Sequence, residues 1–121
     1  MSAFSFTKKN RIRKRHEFIK IYRTGSKRES QHFIISQTPN NLPWRRLGVT
    51  VSKRVGNAVQ RNYVKRRLRE FFRLHQHQLP SSYDFVITAK PGAAALLYKD
   101  ICSEIALKLL PGMKGPDKDE R

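Results

Sequence analysis

The chain has 121 residues, with 26 Lys or Arg against 9 Asp or Glu, a net charge of +17, and one cysteine, Cys102. That length predicts one domain with one modest core, and the single cysteine excludes an intrachain disulfide or a cysteine-based metal site. No apolar run approaches the ~20 residues that cross a bilayer, and Met1-Ser2-Ala3-Phe4 leads into charges rather than a signal-peptide core, so a cytoplasmic protein is expected.

The charge is unevenly placed. Residues 1–73 hold 20 basic and 3 acidic residues, while residues 74–121 hold 6 of each. A footprint of this kind points to a polyanion, most often nucleic acid.

In chain order, residues 1–10 read as an extended basic arm. Residues 14–24 predict a short helix on which Phe18 and Tyr22 share a face, with Gly25 as a left-handed stop. Residues 31–38 alternate as a strand, Pro39-Asn40-Asn41-Leu42-Pro43 is turn chemistry, and Leu47, Val49 and Val51 mark a second strand. These two strands are expected to pair antiparallel. A helix follows from an Asn57 cap, with Gln60 placed to close a capping box, and runs to about His77 before Pro80. Residues 83–89 predict a strand with Phe85 and Ile87 on one face, and residues 97–110 a last helix carrying Ile101, Ile105 and Leu109. The expected organisation is one α+β domain over residues 1–111 and a disordered polar tail over 112–121.

The stretch 53–73 carries eight basic residues and one acid. On a helix, Val64, Leu68, Phe71 and Phe72 share one side, while Asn62, Lys65, Arg66, Arg69 and Arg73 share another. Solvated faces normally mix signs, and this one does not, so it is assigned to an anionic partner. Catalytic side chains are not in evidence. The basic half offers only Glu17, Glu29 and Glu70, and His75 and His77 lie too far apart around a helix to share a metal. His16, His32, His75 and His77 are read as surface or satisfied histidines. Phe18 and Tyr22, ringed by Arg11, Arg13, Lys14, Arg15, Lys20 and Arg23, fit either a core or a stacking surface for single-stranded nucleic acid.

Residues 56–70, Gly-Asn-Ala-Val-Gln-Arg-Asn-Tyr-Val-Lys-Arg-Arg-Leu-Arg-Glu, resemble the signature of the bacterial ribonuclease P protein family, A-V-x-R-N-x-x-K-R-x-x-R-E. Residues 48–54, 11–18 and 89–91 extend the resemblance to roughly residues 8–110. It implies a four-stranded mixed sheet with three helices in the order αβββαβα, a left-handed βαβ crossover, and likeness to a domain of small-subunit ribosomal protein five. A fourth strand would then lie near residues 39–46. It also implies a catalytic RNA that cuts with Mg2+, one protein per RNA, and precursor tRNA as substrate. The RNA-binding positions it implies are Lys53, Arg54, Asn57, Arg61, Asn62, Lys65, Arg66 and Arg69, with Arg73 continuing the face. The implied cleft for the 5′ leader takes Phe18 and Tyr22 with Lys53, Arg54 and Lys90, and Arg11 and Lys14 at the helix entrance. Ser36 stands where some relatives place an aromatic facing that cleft. The rival expectation is a non-enzymatic, ribosome-associated or assembly RNA-binding protein of similar fold.

Overall fold

The computed structural model describes residues 6–109. Three helices, α1 (Arg15–Thr24), α2 (Ala58–His75) and α3 (Tyr98–Leu109), accompany four strands, β1 (Ser26–Glu29), β2 (Phe33–Pro39), β3 (Arg46–Val51) and β4 (Tyr83–Ala89). The sheet order is β1-β2-β4-β3. β2 runs antiparallel to both β1 and β4, and β3 runs parallel to β4. Together these make the expected mixed α+β sheet, with α2 as the crossover between the two parallel strands.

The expected pairing of β2 with β3 does not occur, because β4 lies between them. β4 is buried on both faces over Asp84–Ile87, and a strand buried on both sides belongs inside a sheet. The intervening loop is fastened elsewhere: Trp44 Nε1 donates to the Lys9 carbonyl at 3.0 Å and Arg45 Nη2 to that of Leu79 at 2.8 Å. The fourth strand is Ser26–Glu29, not a segment near residues 39–46. It is a fully exposed edge, so it carries no apolar alternation to betray it.

Three smaller expectations also change. Gly25 is extended, at φ −76° and ψ 160°. Its requirement is space, since a Cβ there would sit 2.7 Å from the Gln37 carbonyl oxygen and 2.8 Å from that of Ile21. The described part of the amino-terminal arm folds into a 3-10 turn at Lys8–Asn10. Asn10 is buried there, and its amide donates to the Arg45 carbonyl at 3.0 Å. α2 ends at His75, and a 3-10 turn over Gln76–Gln78 completes its expected length. The expectation for residues 112–121 lies outside the described residues.

Most of the core lies between the sheet and the α2–α3 layer. Phe33, Ile35, Phe85 and Ile87 from the strands meet Val64, Leu68, Phe71 and Phe72 from α2 and Ile101 and Ile105 from α3. Phe72 packs edge-on to Phe6 and Phe85. On the other face α1 rests on a much smaller cluster of Ile12, Ile21 and Val86, with Phe18 against it.

Candidate nucleic-acid interface

α2 begins as its sequence requires. The Gln60 N–H donates to Asn57 Oδ1 at 2.9 Å, and the Asn57 N–H donates to Gln60 Oε1 at 2.8 Å. A Cβ at residue 56 would collide with the Gln60 side chain, so the glycine before the cap makes room for the box. The apolar stripe is buried, which turns Arg61, Lys65 and Arg69, on successive turns, along the β3 side of the helix. Asn62 and Arg66 are exposed beside them, and Lys53 and Arg54 are exposed on the turn after β3. None of Arg61, Lys65, Arg66 and Arg69 has an acidic partner among the described residues. Burial, with Arg11 and Arg13 close by, holds the Arg69 guanidinium below its usual range. Clustered cations without a counter-charge are an anion site left open. Arg73 differs: its guanidinium donates twice to Glu70, at 3.1 and 2.9 Å.

A trough runs beside this face. One cavity of about 300 Å³ is lined by Phe18, Ile19, Tyr22, Arg23, Thr50, Val86 and Thr88. A second, of about 490 Å³, shares Phe18, Ile19 and Thr50 with it and reaches Arg13, Arg15 and Lys65. Between α1 and the sheet, an apolar wall therefore leads towards the cations of α2. The Phe18 ring can reach the sheet because residue 48 is glycine; a Cβ there would be 2.6 Å from the ring. Tyr22 is 43% exposed and carries the Lys27 ammonium 4.9 Å from its ring centre.

The other expected cleft residues scatter. Lys14 is the exposed N-cap of α1, and the Arg11 guanidinium stacks 5.6 Å from the Phe6 ring. Lys90 ion-pairs with Glu29 and donates to the Ser30 carbonyl at 2.8 Å, so it does not line the trough. Ser36 is 1% exposed, opposite Val86 beneath α1, and faces no open space. Sequence reasoning did not single out Ile19, Thr50 and Thr88. Thr50 and Thr88 are cross-strand partners in the parallel β3–β4 register, which only the unexpected pairing brings together.

Three side-chain clusters serve the scaffold. Arg46 donates to Asp84 at 2.8 and 2.9 Å and to Glu17 at 3.2 Å. The Asp84 bond raises its pKa against the effect of burial. His32 Nδ1 pairs with Glu104 at 2.8 Å, and His75 stacks on Phe71 with ring centres 4.3 Å apart. Among the described residues, no group of three or more His, Cys, Asp or Glu could hold a metal ion.

The family model for ribonuclease P matches residues 6–110. The chain belongs to the ribonuclease P protein family. It is 42% identical over 109 residues to the ribonuclease P protein component of Syntrophus aciditrophicus, covering 90% of this chain and 92% of that one. The RNase P protein of Staphylococcus aureus superposes with a TM-score of 0.77 at 29% identity, over 88% of this chain and 95% of the other. The RNase P protein of Thermotoga maritima, at 24% identity, shares the fold with a TM-score of 0.73, over 89% and 98% of the two chains. The αβββαβα order of the ribonuclease P family is the order found here.

Proposed function

We propose that this chain is the protein component of a cytoplasmic ribonuclease P, in which one protein binds one catalytic RNA and holds the 5′ leader of precursor tRNA for removal. The observation that carries this reading is the meeting of an apolar trough with an acid-free cationic helix face in a chain of this family. Arg61, Lys65, Arg66 and Arg69, with Lys53 and Arg54, bind phosphates of the catalytic RNA and screen repulsion between the two RNAs. Asn57 serves by capping α2 and so fixing Arg61. Leader bases lie along the trough against Phe18 and Tyr22, and the phosphates meet Arg13, Arg15 and Lys65. Arg11 and Lys14 add positive charge at its entrance. Lys90 and Arg73 reach RNA only by giving up Glu29 and Glu70.

We assign Mg2+, and the cut it supports, to the catalytic RNA. Among the described residues no helix is long and apolar enough to cross a membrane. Reconstitution tests the reading. The re-purified protein should leave precursor tRNA intact, and adding the cognate RNA at low magnesium should give cleavage at the mature 5′ end that depends on the protein. Cleavage by RNA-free protein, or no stimulation of the RNA, overturns it.

A further inference from the structure

We propose that Arg67, with Tyr63 and Arg66, forms a second RNA pocket on the α3 side of α2, which takes one unpaired nucleotide of the catalytic RNA. The proposal rests on the functional reading above. At 100° per residue, positions 63 and 67 point about 120–160° away from Arg61, Lys65 and Arg69. The pocket therefore adjoins the cationic face through Asn62 and Arg66 and extends it towards α3.

Arg67 is held in place, feels the charge of Glu70, yet makes no ion pair among the described residues. Its guanidinium lies 5.0 Å from the Tyr63 ring centre and 5.8 Å from that of Tyr98. The Tyr63 hydroxyl donates to the Leu96 carbonyl at 2.9 Å, which fixes that ring. No carboxylate pairs with Arg67 among the described residues, and its buried Nε has no acceptor. The nearby Glu70 is already held by Arg73. An arginine fixed on aromatic faces loses little freedom when it binds a phosphate.

Beside it opens a cavity of about 270 Å³ lined by Val59, Asn62, Tyr63, Arg66 and Arg67. That is smaller than the ~300–1,000 Å³ of a drug-sized site, and of a scale for one base. Arg66 and Arg67 supply phosphate donors, the Asn62 amide can read a base edge, and Tyr63 with the 78%-exposed Val59 offers a face for stacking. A duplex would present its backbone and leave the apolar wall unused, so a splayed nucleotide fits better.

The competing role for Arg67 is a staple between α2 and α3, and two measurements separate the two. The first titrates wild type and Arg67→Ala with the catalytic RNA, without precursor tRNA, across a salt series. The pocket requires affinity to fall about tenfold and the slope of log affinity against log salt to flatten by roughly 1. The second places a photo-crosslinker at exposed Val59 in the otherwise intact protein and maps the adduct, which should fall on one unpaired nucleotide. This arm holds even if Arg67→Ala fails to fold. Wild-type binding with an unchanged slope in Arg67→Ala, or no RNA adduct from position 59, overturns the pocket alone. Failure of the wild-type chain to bind the RNA overturns the functional reading and the pocket with it.

Discussion

The two faces of the sheet are built to different ends. The face under α2 and α3 is closed by four fully buried phenylalanines, Phe33, Phe71, Phe72 and Phe85, and the aliphatic residues around them. The face under α1 has a core of three buried residues, and the rest of its surface is left as a trough. Burial of apolar area stabilises the fold at about 25 cal/mol per Å², so nearly all of that stabilisation comes from the first face. The second face can then expose Tyr22 and Ile19 at little cost to folding. The contrast separates what keeps the chain folded from what is left free to bind.

The sharpest way to break this contrast is to damage the closed face. Phe72→Ala, at a site with no exposure and two edge-on aromatic neighbours, should cost about 3–5 kcal/mol. Urea unfolding measures this loss, and RNA binding should fall only as far as the protein unfolds. A loss below 1 kcal/mol would mean that the large core does not dominate. Asp84→Asn comes next. It leaves the half-buried Arg46 one neutral acceptor at residue 84 in place of a two-bond carboxylate, with Glu17 as its remaining counter-charge, an expected loss of about 3 kcal/mol. Chemical denaturation of Asp84→Asn alongside the double variant Asp84→Asn/Arg46→Met shows whether the cost lies in the orphaned charge. The double variant, which leaves neither charge unpaired, should lose less.

How much of this could be read from the chain depends on how local each signal is. The α2 helix was legible to its cap, because Asn57, Gln60 and the stripe Val64, Leu68, Phe71 and Phe72 all act within a few turns. The buried pair Phe85 and Ile87 was legible from alternation. β1 was not, because Ser26–Glu29 alternates nothing and is placed only by pairing with Glu29↔Ile34 and its neighbours. The position of β4 between β2 and β3 was hidden for the same reason, and so was the trough floor of Thr50 and Thr88. Asp84 sits in a strand pattern, and its partner Arg46 is 38 positions away. The pattern left Phe18 and Tyr22 open between core and cleft, and the structure divides them. Phe18 is half-buried over Gly48, whereas Tyr22 is 43% exposed.

That division sharpens the comparison at the trough. Tyr22→Ala should weaken precursor tRNA binding by about 1–3 kcal/mol, leave mature tRNA binding unchanged and barely move the thermal melt. Phe18→Ala should lower both precursor binding and the melting temperature, since its ring also covers the small cluster. Equal losses on both RNAs from Tyr22→Ala would remove it from the leader path.

Acid tests the clasp between the β1–β2 turn and α3. Burial would raise the Glu104 carboxyl, but hydrogen bonds from Ser30 and His32 outweigh it and hold the group below its ordinary value. A depressed carboxylate contributes stability that is present above its unfolded pKa of about 4.3 and is lost as pH falls through the lower folded value. The gap in melting temperature between wild type and Glu104→Gln should therefore be constant above about pH 5 and close below about pH 4. A gap that persists unchanged into acid would show that the carboxylate form is not what holds the clasp.

The smallest effect concerns Asn57, where the two faces meet at the start of α2. Its Oδ1 is already occupied by the Gln60 N–H, so its contribution to RNA binding is expected to be indirect, through Arg61. Arg61 Nη1 in turn donates to the Gly56 carbonyl at 2.8 Å, which ties the first RNA-facing cation to the backbone of the cap. Asn57→Ala removes the cap and should cost about 1 kcal/mol, with a modest loss of RNA affinity as the first turn frays. Asn57→Ser keeps a capping oxygen but removes the amide, and serine caps about as well as asparagine. It should match wild type in both melting temperature and RNA affinity. If the serine variant melts normally but binds catalytic RNA as weakly as the alanine variant, the amide itself touches RNA, and the boundary between scaffold and interface moves one residue before α2.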